Sequence, residues 1–359
     1  MRVRRVLVRF AQRHPRLAAT ALGLLAAFGI LVLSETLCYA LNARREHWTF
    51  QSRPMLRPDP TLGYRLRPNR RVPRSKSSET RLAYYCWHTI DQYGRRHTPV
   101  AEPDARDRFL FLFGGSFAFG DGLNDDQTLA SHIAGQAPRY QPCVFACGGY
   151  GTAHMLIQIQ DPALLSEVPQ STGIALYLFT DPHIPRLIGN LEVAGTFGKR
   201  FPYYTVENGQ VLYRGSFEEG RPFTTWCYRL LAKSHTVNYL GFSLPLHALN
   251  PRSADLFVRI VAESQRAFNL KYPDATFYVL FYPGMKFTAT LKPLLEQQGI
   301  PCLDYPDLFP GPPESYRLID GHPNEHANEL LAARLVQDLR LDDAATPEAP
   351  PTAGESVVD

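Results

Sequence analysis

The chain has only six cysteines in 359 residues, and none forms a C-x-x-C pair or stands at cysteine–histidine zinc spacing, which argues against a structural metal site. Acidic residues are absent before Glu35, whereas Arg2, Arg4, Arg5, Arg9, Arg13 and Arg16 crowd the same stretch. The net charge of +4 therefore comes from that segment, and the nearly neutral remainder gives nucleic-acid binding no compositional support. Internal repeats are missing as well. With 45% hydrophobic and 20% charged residues the chain can bury a sizeable core, and one large α/β domain with appendages is the expectation.

The basic segment, residues 1–16, runs into Leu17–Leu41, which is apolar apart from scattered Thr and Ser and the carboxylate of Glu35. About 20 apolar residues cross a bilayer core, so this stretch is long enough to span. The arginines should stay cytoplasmic, which leaves everything after about Asn42 outside the cytoplasm. A cleaved signal sequence is the other reading, with Cys38-Tyr39-Ala40 as a small-residue cleavage site. The run exceeds the ~7–15 residues of a signal core, so a retained anchor is preferred. A lipoprotein fits less well, because Leu37 precedes Cys38 where a small residue is wanted. An extracytoplasmic location would permit disulfides among Cys86, Cys143, Cys147, Cys227 and Cys302. Buried free thiols are the plainer reading for Cys143 and Cys147, which flank a strand-like run.

Residues 42–105, rich in Pro, Arg and polar residues, read as a small β-rich neck. From Arg108 the pattern changes. Phe109–Phe113 is a continuous apolar run of strand length, as expected of a strand buried on both faces of a parallel sheet. Gly114-Gly115-Ser116 breaks it, and Gln127–Gly135 resumes at helical spacing. The same alternation predicts strands at Cys143–Cys147, Ile174–Phe179, Thr276–Tyr282 and Pro301–Asp304. Helices are predicted from near Ala153 and over Ala254–Leu270, Thr288–Gln298 and His326–Leu339. Strand–helix alternation of this kind implies a parallel central sheet with helices on both faces, a three-layer α/β/α domain over 106–342. Residues 197–250 interrupt it with an aromatic-rich insertion holding a hairpin around Asn208-Gly209, which serves either as a lid or as ordinary packing. Residues 343–359 have the composition of a disordered tail.

A serine on a glycine turn between a buried parallel strand and a helix stands where open α/β sheets bind ligands, and Ser116 meets that description. Just before the last helix comes Asp320-Gly321-His322-Pro323-Asn324. A histidine accepts a serine proton effectively when a carboxylate fixes its tautomer, and these two lie on one short loop.

Together, Phe113–Gly120, Gly148–Thr152 and Asp320–Asn324 resemble the SGNH/GDSL hydrolases, and in that family's order. The first block reads Gly-Gly-Ser where Gly-Asp-Ser is usual. The acid–histidine block has one intervening residue where two are commoner. Pro60–Asn69 and Asp91–Arg95 resemble the neck of membrane-anchored bacterial members. The resemblance implies a flavodoxin-like SGNH fold with an N-terminal transmembrane helix, and Ser116, Asp320 and His322 as catalytic residues. It also implies an oxyanion hole made by the N–H groups of Ser116 and Gly149. The family's third block would add an asparagine, but Phe179-Thr180-Asp181-Pro182-His183 has none. His183, then Thr180, is the expected substitute donor, and Asp181 would repel an oxyanion if it pointed inward. His154 is expected on a helix surface. Family and compartment together imply a periplasmic esterase on the inner membrane, needing no cofactor or metal, with an acylated envelope glycan or lipid as substrate. An O-acyltransferase with the same triad and a silent glycan-binding scaffold are the alternatives. The retained Ser–Asp–His set favours an enzyme.

Overall fold

The computed structural model describes residues 12–52, 54–163 and 167–342; the expected tail at 343–359 lies outside them, as does most of the basic segment. Helix α1 (Pro15–Asn42) is apolar and exposed along most of its length, with Pro15 opening its first turn, where a missing N–H costs nothing. At 1.5 Å per residue it is about 42 Å long, more than the ~30 Å of a bilayer core.

Five strands follow: β1 (Thr49–Ser52), β2 (Leu56–Asp59), β3 (Gly63–Leu66), β4 (Arg70–Ser77) and β5 (Leu82–Ile90). They form an antiparallel sheet in the order β1-β4-β5 and a hairpin β2–β3. Asp59 holds the hairpin turn by accepting from the N–H groups of Thr61 and Leu62.

The alternating part of the chain then runs β6 (Arg108–Gly114), α2 (Ser116–Phe119), α3 (Leu129–Gln136), β7 (Tyr140–Ala146), α4 (Thr152–Gln160), β8 (Gly173–Phe179), α5 (His183–Ile188) and α6 (Leu191–Gly195). The insertion contributes the hairpin β9 (Pro202–Glu207) and β10 (Gln210–Ser216), then α7 (Phe217–Gly220), α8 (Pro222–Leu231) and α9 (His235–Leu240). The chain closes with α10 (Pro251–Lys271), β11 (Thr276–Phe281), α11 (Thr288–Glu296), β12 (Cys302–Asp304) and α12 (Glu325–Leu339). The hairpin turns at Asn208 and Gly209, both at positive φ, as the Asn-Gly pair predicts.

Strands β6, β7, β8, β11 and β12 form one parallel sheet in the order β12-β11-β8-β6-β7, the doubly wound 2-1-3-4-5 arrangement of flavodoxin-like folds. Alternation along β6 divides the core. Leu110 and Leu112 face α3 and α12, packing with Ile133, Leu331 and Leu335. Phe109, Phe111 and Phe113 face α4, α10 and α11, packing with Met155, Phe257, Phe268 and Leu291. Pro142 lies within β7, which is tolerated because β7 is an edge strand.

All six cysteines are free, and Cys143 and Cys147 are buried, so the disulfides that the compartment would permit are not formed. Cys143 is paired in register with Phe111 on the adjacent strand, its thiol packed among the aromatics of that layer.

Phe111 is fully buried, stacked on Phe109 at 4.1 Å and edge-on to Phe145 at 5.1 Å. Phe111→Ala is expected to destabilise the protein by ~3–5 kcal/mol, measured by chemical denaturation of the detergent-solubilised chain. A loss under about 1 kcal/mol would show that this layer is not tightly packed.

Candidate active site

Register brings three loops to one edge of the sheet. Gly114 pairs with Ala146 of β7 and Leu178 of β8, so the turns that follow these strands emerge side by side. Gly114 is at φ +152°, and a Cβ there would lie 2.9 Å from the Ala118 Cβ and 3.0 Å from the Leu178 carbonyl oxygen. Gly115 opens α2, and Ser116 is its first residue. A Cβ on Gly115 would lie 2.8 Å from Arg186 Nη1, 3.0 Å from His183 Nε2 and 3.0 Å from the Tyr150 carbonyl oxygen. Residue 115 therefore sits where the second and third loops close on the first, and a side chain there would have to displace at least one of them.

The second loop carries Gly149 at φ +89°, where a Cβ would lie 2.2 Å from the Tyr64 hydroxyl. That hydroxyl, on β3, donates to the Gly148 carbonyl at 2.6 Å, and the Tyr150 hydroxyl returns a bond to the Tyr64 carbonyl. The neck hairpin thus clamps the loop and leaves the Gly149 amide without an acceptor among the described residues. Phe197, half-exposed at the start of the insertion, lies 3.5 Å from the same Cβ position and adds an apolar wall.

The third loop holds the two expected substitutes for asparagine. His183 is fully buried. Its Nδ1 faces the Tyr177 hydroxyl at 2.8 Å and the Thr180 backbone N–H at 3.4 Å. A backbone N–H can only donate, so Nδ1 is the acceptor and the ring proton is on Nε2. Burial, together with the Arg186 charge, keeps this ring neutral, well below the usual histidine range. Nε2–H, next to Gly115, has no partner among the described residues. Thr180 is buried, and its backbone serves His183 at both ends, its carbonyl accepting from the His183 N–H at 2.9 Å. Asp181 points away: its carboxylate accepts from the N–H groups of Lys286 and Phe287 at 2.9 and 3.0 Å. His154 departs from expectation. It is buried, stacked on Tyr150 with ring centroids 4.3 Å apart, because the Gly151 N–H donates inward to its Nδ1 and Phe201 covers its edge.

Arg186 is the residue that sequence reasoning missed. It lies one turn beyond His183 on α5, and Nη1 donates to the Tyr150 carbonyl at 2.8 Å. Burial lowers its pKa from the usual arginine value. No carboxylate among the described residues pairs with it. Spacing alone offered one signal, an arginine three residues after the candidate histidine.

Opposite, the Asp320 carboxylate is 1% exposed and its Oδ2 lies 2.9 Å from His322 Nδ1. Oδ1 accepts from the His322 N–H at 3.2 Å. Lys76 on β4 donates to the same Oδ2 at 3.1 Å, a neck contribution that sequence did not reveal. Burial opposes ionisation of Asp320, but the His322 and Lys76 bonds outweigh it and bring its pKa down to about 2. The His322 ring is 5.6 Å from that of Phe117, the residue after Ser116, so the acid–histidine loop faces the start of α2.

No protein-family model and no curated protein matches this sequence. Among solved structures, TesA is 13% identical, matching 65% of this chain and 98% of its own with a TM-score of 0.39. A G-D-S-L family lipolytic protein from Veillonella parvula is 11% identical, over 64% of this chain and 97% of its own, with a TM-score of 0.37. A family two carbohydrate esterase from Clostridium thermocellum, in complex with cellohexaose, is 11% identical over 82% of this chain and 87% of its own, with a TM-score of 0.39.

The depressed Asp320 pKa has a consequence for stability. Its folded value of about 2 lies below the ordinary 3.8. Stabilisation is therefore complete above about pH 4 and is lost as pH falls towards 2, amounting to about 2 kcal/mol. Asp320→Asn should be less stable than the parent near neutrality, with the gap closing between about pH 4 and 2. Denaturation midpoints across that range check this, and a gap that does not narrow on acidification would refute it.

Proposed function

We propose that this chain is a serine hydrolase of the SGNH/GDSL type that cleaves ester bonds outside the cytoplasm, anchored in the inner membrane by α1. The observation that carries the reading is the buried Asp320 joined to His322 at 2.9 Å, facing the glycine turn that presents Ser116.

In this mechanism Ser116 Oγ attacks the ester carbonyl and His322 Nε2 takes its proton, while Asp320 holds the Nδ1–H tautomer and stabilises the imidazolium. The tetrahedral oxyanion is met by the Ser116 and Gly149 N–H groups. In place of the missing asparagine, His183 offers a neutral Nε2–H and Arg186 a positive charge, with Thr180 holding His183 by its backbone. Collapse expels the alcohol, which takes its proton from His322. Water, activated by the same histidine, then releases the acid. A sugar hydroxyl in place of water would make the same site an O-acyltransferase. Acylated envelope glycans or lipids are the substrate class that suits the compartment.

Labelling of the full chain in detergent with a fluorophosphonate probe, beside p-nitrophenyl acetate turnover, tests the reading. Both signals should vanish in Ser116→Ala and His322→Ala. Labelling that persists in Ser116→Ala, or a folded parent that neither labels nor turns over, would count against it. Arg186→Met should lower turnover by ~10²–10³, the usual cost of an oxyanion-hole donor. A full-rate Arg186→Met enzyme would leave Arg186 as packing only.

A further inference from the structure

Residues 223–246 leave a run of large apolar side chains uncovered. On α8, Phe223 (75% exposed), Trp226 (55%) and Leu230 (48%) stand at helical spacing on one face. The opposite face is buried: Thr225 is covered, and the Tyr228 carbonyl and Ala232 lie against Gly195 of α6. Leu240 (70%), Phe242 and Leu246 continue the uncovered surface past α9. Ordinary soluble surfaces scatter such side chains singly; a contiguous set marks an interface.

What lies next to this surface identifies its occupant. The N-terminus of α9 is capped by the Glu35 carboxylate of α1, which accepts from the Ser234 hydroxyl and from the N–H groups of His235 (2.8 Å) and Thr236 (3.3 Å). Tyr39 packs edge-on to His235 at 4.9 Å, and Asn42 Nδ2 donates to the His235 carbonyl at 3.2 Å. Arg45 donates to the Tyr239 carbonyl at 3.0 Å and covers its ring. Positions 35, 39 and 42 form one face of the last two turns of α1, so α9 lies along the end of that helix. About 20 residues from Leu17 fill the ~30 Å hydrocarbon layer and end near Thr36. The contact with α9 therefore begins at the depth where the chain leaves the acyl chains.

We propose that α8, α9 and the segment to Leu246 form a second membrane contact, lying in the interface of the leaflet from which α1 emerges, with Phe223, Trp226, Leu230, Leu240 and Leu246 inserted among the upper acyl chains. The chemistry is that of an interfacial amphipathic element, with an apolar face, a tryptophan and cations at its rim, here Arg44 and the exposed Lys233, suited to anionic headgroups. The Glu35 cap sets the angle between this element and α1. Because Phe197 of the same insertion walls the candidate active site beside Gly149, the contact would hold that site close to the bilayer, where acyl groups are presented. The inference rests on α1 being a retained anchor and is independent of the proposed catalytic reading.

The test uses the full chain with Trp48→Phe and Trp87→Phe, reconstituted into vesicles of phosphatidylcholine and phosphatidylglycerol, so that Trp226 alone fluoresces. Lipids brominated near the headgroup end of the acyl chain should remove most of its emission, and lipids brominated at the chain end much less. Adding Phe223→Asp and Leu240→Asp should abolish that quenching while circular dichroism and flotation with vesicles stay unchanged. Chain that floats but whose Trp226 is quenched by neither lipid would overturn the proposal alone. A disulfide between copies of a Phe223→Cys variant, without lipid quenching of Trp226, would overturn it in favour of self-association. Chain that fails to float would remove the anchor and the proposal together, leaving fluorophosphonate labelling to judge the catalytic reading separately.

Discussion

The arrangement of the candidate site depends on the space denied to a side chain at residue 115. Three loops leave adjacent parallel strands in register, and they converge on the position that a side chain at residue 115 would occupy. An arginine nitrogen, an imidazole nitrogen and a carbonyl oxygen all stand within about 3 Å of the missing Cβ position. The volume beside residue 115 is filled from the third loop, by His183 and Arg186. Gly115 and the third loop, in which no asparagine stands between Phe179 and His183, thus meet at the same point.

Burial decides what these groups can do. His183 has its Nδ1 occupied by Tyr177 and Thr180, and desolvation keeps it neutral, so it offers a fixed donor and is not a base. The Thr152 hydroxyl, 2.8 Å from that of Tyr177, extends the chain of hydrogen bonds and further limits the ring's rotation. Asp320 is less enclosed as a residue, but its carboxylate is covered too, and with His322 and Lys76 as partners it stays ionised. Burial without a charged partner thus leaves a neutral imidazole in the third loop, whereas burial beside His322 and Lys76 leaves a carboxylate in the acid–histidine loop.

The strands preceding the sheet are part of this electrostatic arrangement. Lys76 reaches Asp320, Arg74 lies 3.7 Å from Asp121, and the buried Arg96 binds Asp125 at 2.9 Å and the Leu123 carbonyl at 2.8 Å. Asp121 in turn presses against Gly148. Removing one partner from such a pair leaves a charge with no water to solvate it, which costs more than the pair itself contributes. Residues 55–96 are thus tied to the sheet by these charges as well as by Met55, Leu62, Leu66, Val72 and Ile90, which share its buried core, and the hairpin carrying Tyr64 holds the Gly148–Tyr150 loop.

Much of the fold was legible in the chain itself, because parallel strands buried on both faces must be continuously apolar and the helices between them must be amphipathic. Phe109–Phe113, Ile174–Phe179 and Thr276–Phe281 carry that pattern without help from distant residues, and so do α10 and α12. Ser116, Asp320 and His322 stand out as candidates in the sequence because their relations are local, a turn after a strand and two residues on one loop. Tertiary structure decided the rest. His154 has the spacing of a surface residue until Phe201, from the insertion, closes over it. Arg186 and Lys76 gain meaning only from groups that are near in space and far along the chain. The uncovered face of α8 and α9 likewise acquires its setting only when Glu35 caps α9. Period and local turn chemistry are written along one dimension, whereas burial and the pairing of charges depend on which segments the fold brings together.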